Sequence, residues 1–417
     1  MILYRARHLV SMNGPPIENG GILVLGGKIA AAGRFDDIRV FVTEQKARVI
    51  DLGERILLPG LINAHCHLEF TPMLNTVLTA TSFTKWIQRI NAAKRHFSDD
   101  DYLAGIQDGT RQLARSGTTT ILNIESFPEL LNRLPKLPVR IWWFYEMLDV
   151  RLRTHDDVSM QGAISIFQSQ ACDDMRHSGL SPHAPYTASP ALFHLALQAA
   201  RAGKLPLTTH AAESREEMQM FRNASGPLYD FLASLGRPMN DCGATTPFRT
   251  LVENGMIDPQ SILVHLNELD ASDFSLIPRF TRGHALQVVH CPKSHAFFRH
   301  SPFPFENLRD LGANISLGTD SLASNSTLDM FAEMRTFAET NPQVSPVEIL
   351  RMVTVNPARS INLEKTLGSL RSGAWADAIA IPAPKNGRDI FESILHHGKY
   401  SHPAVDWMLV NGTEVPF

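Results

Sequence analysis

His65 and His67 stand one residue apart at the end of an apolar run, in the stretch PGLINAHCHLEF (59–70). A spacing of two puts side chains on one face of an extended chain, whereas a helix would need three or four. Ile56, Leu57, Leu58, Leu61 and Ile62 read as a buried strand, so both imidazoles point the same way from its C-terminal end. Such a pair can hold a metal ion; it can also be two loop histidines satisfied by neighbours. Ligand-type residues recur at the ends of other strand-like runs: His183, His210 with Glu213 three residues on, His265, and Asp320. Each has an ordinary structural reading by itself, and Glu213 in ESREEM could simply open a helix. Together, imidazoles and one carboxylate make a ligand set for zinc or a similar divalent ion. An ion so held can keep a position for water and lower that water's pKa from about 16 toward about 7, making hydroxide available at neutral pH.

The elements that must position these residues alternate between strand and helix. Eight strand candidates run from RILLPGLINAH through TTTILNIES, VRIWWFYEML, GLSPHAP, LPLTTHAAE, SILVHLNEL and LQVVHCP to NISLGTDS. Between them lie amphipathic helices, including DDYLAGIQDGTRQLARSG, stopped at Gly117, and SPALFHLALQAARAGK, started by Ser189-Pro190. Alternating β and α predicts a parallel sheet, and eight repeats predict closure into a (β/α)8 TIM barrel, with an open doubly wound sheet as the alternative. In a barrel the strand C-termini share one mouth, where all five places would converge.

Both chain ends look different. GGILVLGGKIAAAG reads as a hairpin about Gly26-Gly27 rather than a phosphate loop, because no helix follows. GSLRSGAWADAIAIP and VDWMLVNGTEV are also strands around turns, so residues 1–57 and 362–417 are expected to pair as a small composite β-sandwich domain, leaving 58–361 as the catalytic barrel. The 417 residues are 44% hydrophobic and 19% charged with a net charge of −3, so neither nucleic acid nor membrane is an expected partner. Four cysteines without CxxC spacing suggest no disulfide framework, and the N-terminus does not read as a signal peptide; a cytoplasmic location is expected. The sequence leaves open whether the chain forms a homo-oligomer.

The motifs PGLINAHCH, SPHAPYTASP, THAAES, VHLNELD and LGTDSLASN, in that order, cover nearly the whole chain, and by them it is identified as a member of the amidohydrolase superfamily. It most resembles the branch that deaminates aromatic nitrogen rings, above all adenosine-like nucleosides. The resemblance implies that His65, His67, His210 and Asp320 hold one metal, Glu213 moves protons, and His265 stands beside the water. Two-metal members carry a carboxylated lysine at the end of the fourth strand; SPHAP stands there instead, which implies a single ion, zinc first and iron or manganese otherwise, and makes His183 a contact to the substrate ring.

HCHLEF, SFTKWI and CPKSHAFFRHSPFPFENLRDLGANISLGTDSLAS resemble the aminodeoxyfutalosine deaminases, whose substrate is an adenine nucleoside carrying a benzoate. That implies a menaquinone-pathway role. S-adenosylhomocysteine, methylthioadenosine, adenosine and guanine deaminases and triazine chlorohydrolases share the core motifs, so they remain open. A cyclic amide hydrolase or a non-catalytic relative are readings of other kinds. Substrate contacts are expected from Glu69, if the extended geometry persists beyond His67, and from Arg151 or Arg153 to a carboxylate. Phe83, Trp86, Ile87 and Ile90 have helical spacing and suggest core packing, with Trp86 and its neighbours partly covering the mouth.

Overall fold

The structure, a computed structural model, describes residues 1–43, 48–76, 82–150, 164, 173–385, 389–399 and 405–416. Arg151 and Arg153 lie outside the described residues. Two four-stranded parallel sheets carry the expected alternation. The first orders Leu61–Cys66, Thr118–Glu125, Arg140–Met147 and Arg176–Pro182; the second orders Thr208–Ala211, Ile262–His265, Gln287–His290 and Asn314–Leu317. These are strands one to eight of the eight anticipated runs, in sequence order.

Strands buried on both faces explain the nearly continuous apolar runs; every residue of Thr118–Glu125 is buried. Ile62, Leu122, Phe144, Val264 and Val289, drawn from both sheets, share one apolar cluster. Each such side chain contributes roughly 1.5–3 kcal/mol by leaving water. The sheets meet at a parallel bridge between Leu180 and Leu207, with Leu180 N donating to Pro206 O at 3.0 Å. At the other flank, Thr319 N and Asp320 N both donate to His65 O, at 3.0 and 3.1 Å. Gly318 allows that approach, since a Cβ there would stand 2.7 Å from His65 O.

The helices start and stop where their signals stand. Ser98 makes a capping box at the head of Asp99–Arg115, and Gly117 follows its end at φ 84°. Ser189 caps Pro190–Gly203 by accepting from Leu192 N.

The first anticipated strand is in fact two. Arg55–Pro59 joins the sheet made by the chain ends, and Leu61–Cys66 joins the parallel sheet. The Pro59-Gly60 step is the reason: Gly60 packs so tightly that a Cβ would lie 2.1 Å from Thr119, and its N–H turns to Asp377 O. The end sheet has eight strands and takes Ile2–Leu9, Ile17–Leu25 and Lys28–Arg34 from the front of the chain with Ala378–Pro382 and Trp407–Val410 from the back. The hairpin between Leu25 and Lys28 turns on Gly26 and Gly27, at φ 56° and 78°. From the second strand of this hairpin Ile29 N donates to Ala374 O, and at its turn Gly27 O accepts from Ala376 N, tying the hairpin to the segment that leads into Ala378–Pro382. Arg140, fully buried at the start of the third parallel strand, ties the two parts through Nε and Nη2 to both Asp377 oxygens at 3.1 and 3.2 Å, its guanidinium 3.8 Å from the Trp375 ring. Among the described residues, no helix is long and apolar enough to cross a membrane.

Candidate active site

Strand ends bring His65, His67, His210, His265 and Asp320 into one buried cluster. Ring centroids of His65 lie 5.0 Å from His67, 4.9 Å from His210 and 5.9 Å from His265. Asp320 Oδ1 is 3.8 Å from His65 Nε2 and 4.0 Å from His67 Nε2. Possible ligand atoms of His65, His210 and His265, and again of His65, His67 and Asp320, all lie within 4.8 Å of one another. Zinc bound tetrahedrally at about 2.0–2.1 Å separates ligand atoms by roughly 3.4 Å, so these groups need only a small inward movement.

The donor set itself fits an ion. His65 Nε2, which faces Asp320, is buried without a hydrogen-bond partner, which costs about 1–3 kcal/mol for a group left unsatisfied. Burial pushes His65 and His210 below the ordinary imidazole range, which leaves neutral lone pairs for coordination. His67 is buried too, but the Glu69 carboxylate outweighs that and raises it. Burial would raise Asp320, yet His65, His265 and His67 together hold it well below the usual carboxylate range. Ser294 Oγ donates to Asp320 Oδ2 at 2.6 Å and Ser324 Oγ at 3.1 Å, fixing its direction. The backbone turns sharply at these places: Ala212, His265, Leu266 and Asp320 have φ of 50°, 78°, 49° and 58°. Such left-handed residues cost of order 1–3 kcal/mol each and persist where surroundings impose them.

Glu213 follows strand five and faces His265, Oε1 to Nε2 at 3.6 Å. Burial, then the charges of Asp320 and Glu217, push its carboxyl well above the ordinary value, which favours its protonated form. Its backbone N–H donates to Glu217 at 2.6 Å, and its carbonyl accepts from Asn267 at 3.0 Å. The helix Arg215–Asn223 does begin here, capped by Ser214; Glu213 precedes it and keeps its side chain for the cavity.

That cavity measures about 730 Å³ and opens onto His67, His183, His210, Glu213, His265 and Asp320. One wall is the helix Phe83–Lys94. Its helical spacing was legible, but Phe83, Trp86, Ile87 and Ile90 line the cavity rather than only a core. Trp86 Nε1 donates to Ala323 O at 3.1 Å. The head of this helix is held by Glu216, which accepts from Phe83 N and Thr84 N at 3.1 and 2.8 Å and from the Thr84 hydroxyl.

Glu69 departs from expectation. The chain turns into a 3-10 helix over Leu68–Met73, so strand alternation ends at His67. Glu69 is fully buried and is not among the residues lining the cavity; it sits behind His67, Oε1 to Nδ1 at 3.7 Å, with Ser126 Oγ 3.2 Å from the same oxygen. Cys66 donates toward Asn123 at 3.4 Å and burial raises its thiol well up, as befits a bystander. His290 stacks on Phe303 at 3.9 Å and His295 contacts Ser301 O at 2.8 Å, both packing roles. Sequence reasoning missed Glu146, Glu217, Ser294 and Ser324. Only Glu217 had a local signal, three residues after the capping Ser214.

The family model for the amidohydrolase family matches residues 56–406. A 5-methylthioadenosine/S-adenosylhomocysteine deaminase from Pyrococcus furiosus is 28% identical over 392 residues, covering 91% of this chain and 84% of that one. An aminodeoxyfutalosine deaminase from Deinococcus radiodurans is 28% identical over 348 residues, covering 80% and 79%. The Helicobacter pylori aminofutalosine deaminase in complex with methylthio-coformycin superposes with a TM-score of 0.87 over all of both chains at 20% identity, and a zinc-bound adenosine deaminase from Xanthomonas campestris with 0.81 over 99% and 92% at 22%. The α/β fold, the strand-end histidines and a family match spanning most of the sequence lead to one conclusion: this chain belongs to the amidohydrolase family.

Proposed function

We propose that this protein is a metal-dependent hydrolase that deaminates an aminated purine ring, best an adenosine-like nucleoside such as aminodeoxyfutalosine. The observation that carries the reading is Glu213, a buried carboxyl 3.6 Å from His265 that lines the cavity beside the histidine cluster, with burial raising its affinity for a proton. The names of the relatives support the substrate class. We take the two parallel sheets as one closed eight-stranded barrel, and the end sheet as a β-sandwich domain built from 1–57 and 362–417, with the strand Arg55–Pro59 running on to a seam at Gly60.

In this reading His65, His67, His210 and Asp320 hold the ion, zinc in preference to iron or manganese because imidazoles dominate the set. When bound, a divalent cation acidifies water and offsets negative charge. The chain's own groups do the rest. Asp320, held ionised and pinned by two serine hydroxyls, accepts a proton from the attacking water. Glu213 gives its proton to the ring nitrogen as the water oxygen adds to the carbon bearing the amine, and His265 stands beside that oxygen. The carbon becomes tetrahedral. Asp320 then passes its proton to the amine while Glu213 takes the proton of the new hydroxyl; the C–N bond breaks, ammonia leaves, the ring keeps a carbonyl, and both carboxyls return to their starting states. Water is consumed and nothing is oxidised. Each positioned acid or base contributes typically 10²–10⁴-fold. His183 contacts the ring and Trp86 helps wall it.

The test is ammonia release from aminodeoxyfutalosine, S-adenosylhomocysteine, methylthioadenosine, adenosine, guanine and a triazine, with metal counted on the same preparation. One ion per chain and turnover of an adenine nucleoside are expected. Preference for methylthioadenosine or S-adenosylhomocysteine would move the substrate to that second reading, which the Pyrococcus furiosus relative favours. Hydrolysis of a cyclic amide with no aminated ring accepted would end the deaminase reading.

A further inference from the structure

Glu146 ends the third parallel strand and has no part in the roles above. Its side chain is 6% exposed, yet it lines the cavity. Ser126 Oγ donates to its Oε2 at 2.6 Å and leans on Glu69 Oε1 at 3.2 Å, so one oxygen is anchored to buried structure. The other, Oε1, lies 3.9 Å from His183 Nε2. That is too long for a hydrogen bond and leaves a gap that an intervening group would fill. His183 cannot swing to close it, because its Nδ1 is engaged with Thr187 Oγ1 at 2.5 Å.

Neighbouring charge does not fully explain the placement: burial disfavours the carboxylate, His183, His67 and Lys94 outweigh it and hold the carboxyl below its ordinary value, yet the closest of them, His183, stands 3.9 Å from Oε1 without a hydrogen bond. A buried carboxylate costs several kcal/mol unless it is paired and hydrogen-bonded. The nearest imidazole stops short of contact, and Lys94, on the same cavity wall, has its ammonium 4.2 Å from the Phe70 ring centroid. A second metal does not explain it either. Glu146, His183 and His210 do offer ligand atoms within 4.8 Å. However, His210 Nδ1 is engaged with His183 O at 2.9 Å, and its other nitrogen serves the cluster with His65 and His265, so only two ligands remain. An ionised carboxylate accepts hydrogen bonds and donates none, so what fills the gap must bring donors.

The succession of ring contacts indicates which part of a substrate reaches it. His265 to His210 is 5.5 Å between centroids and His210 to His183 is 4.8 Å, so Glu213, beside His265, and Glu146, beside His183, stand at the two ends of this succession. A bicyclic ring with its amine at Glu213 turns its opposite, sugar-bearing edge toward Glu146. Ring nitrogens on that edge are acceptors and do not match a carboxylate; sugar hydroxyls are donors and do. Resting on the nucleoside reading of the site, we propose that Glu146, with His183 beside it, is the specificity residue that recognises the vicinal hydroxyls of the substrate's ribose. Glu69, which the sequence suggested for this task, instead backs the serine that aims Glu146.

The experiment compares wild type with Glu146→Gln on one nucleoside and its 2′,3′-dideoxy counterpart. Hydrogen bonds to a charged group justify a loss of roughly ten- to a hundredfold in kcat/KM for the riboside. It should lie chiefly in KM, with little change for the dideoxy compound and an unchanged metal count. Ser126→Ala, which frees the carboxylate from its anchor but keeps the charge, should move KM the same way by less. Titration of inosine into metal-free protein, followed by Trp fluorescence, should show the same weakening without any turnover. Equal losses on both nucleosides, or a drop in metal per chain, would overturn the assignment while leaving the deaminase reading intact. A wild type that releases ammonia from neither compound would instead bring down the nucleoside reading on which it rests.

Discussion

Two buried charged groups at opposite ends of the parallel strands have opposite characters. At the strand C-termini, four histidines and Asp320 crowd together with ring nitrogens left unsatisfied. At the start of the third strand, Arg140 meets both oxygens of Asp377, lies over Trp375, and shares Asp377 with Asn411 N at 2.7 Å. The first group is incomplete by itself; the second is nearly complete. Burial is equal, so it is satisfaction that separates a place for chemistry from a place for cohesion.

Breaking the upper cluster should have the largest effect. His210→Ala is expected to lose both metal and turnover, read by metal analysis and ammonia release on one preparation. Next comes Glu213→Gln, which should keep one metal per chain and lose 10²–10⁴-fold or more in kcat; a fully active Glu213→Gln protein would sink the assignment of the proton carrier. The lower pair should respond in stability instead. Arg140→Met leaves Asp377 buried alone and should cost about 3–5 kcal/mol by denaturant unfolding, with kcat of the folded fraction preserved, whereas replacing both partners by apolar residues should recover much of that loss.

The smallest effect is a matter of pH. Burial raises Glu217 to about 7, against opposing bonds from Glu213, Ala212 and Ser214 backbone groups. The folded state therefore holds a proton that the unfolded chain has released above about 4.5, and the stability this confers is present at low pH and lost as pH rises through about 7. Wild type should lose up to about 1.4 kcal/mol per pH unit across that window relative to Glu217→Gln, measured as the difference between their unfolding curves.

The upper cluster was legible because its parts obey short-range rules. Two histidines at a strand spacing, and single ligand-type residues just past apolar runs, announce themselves locally. What holds them did not. Ser294 reaches Asp320 across 26 residues and Ser126 reaches Glu69 across 57, pairings that only the finished fold creates. Glu146 looked like any strand-end acid until His183 and Ser126 came round to it. Glu69 misled because alternation holds only while the chain stays extended, and a 3-10 turn begins one residue before it. The hidden seam at Gly60 had the same origin: the apolar run is continuous although the sheets it serves are not. Arg140 carried no signal, since a guanidinium opening an apolar strand reads as a surface residue until Asp377 arrives from the far end of the chain.

Glu216 grips the head of the helix Phe83–Lys94 through two backbone N–H groups and a hydroxyl, and it sits three residues after Glu213 on the same stretch. The cavity wall and the backbone that carries Glu213 are thereby joined through one short stretch of chain, so the head of the helix and the approach to Glu213 depend on one shared set of bonds.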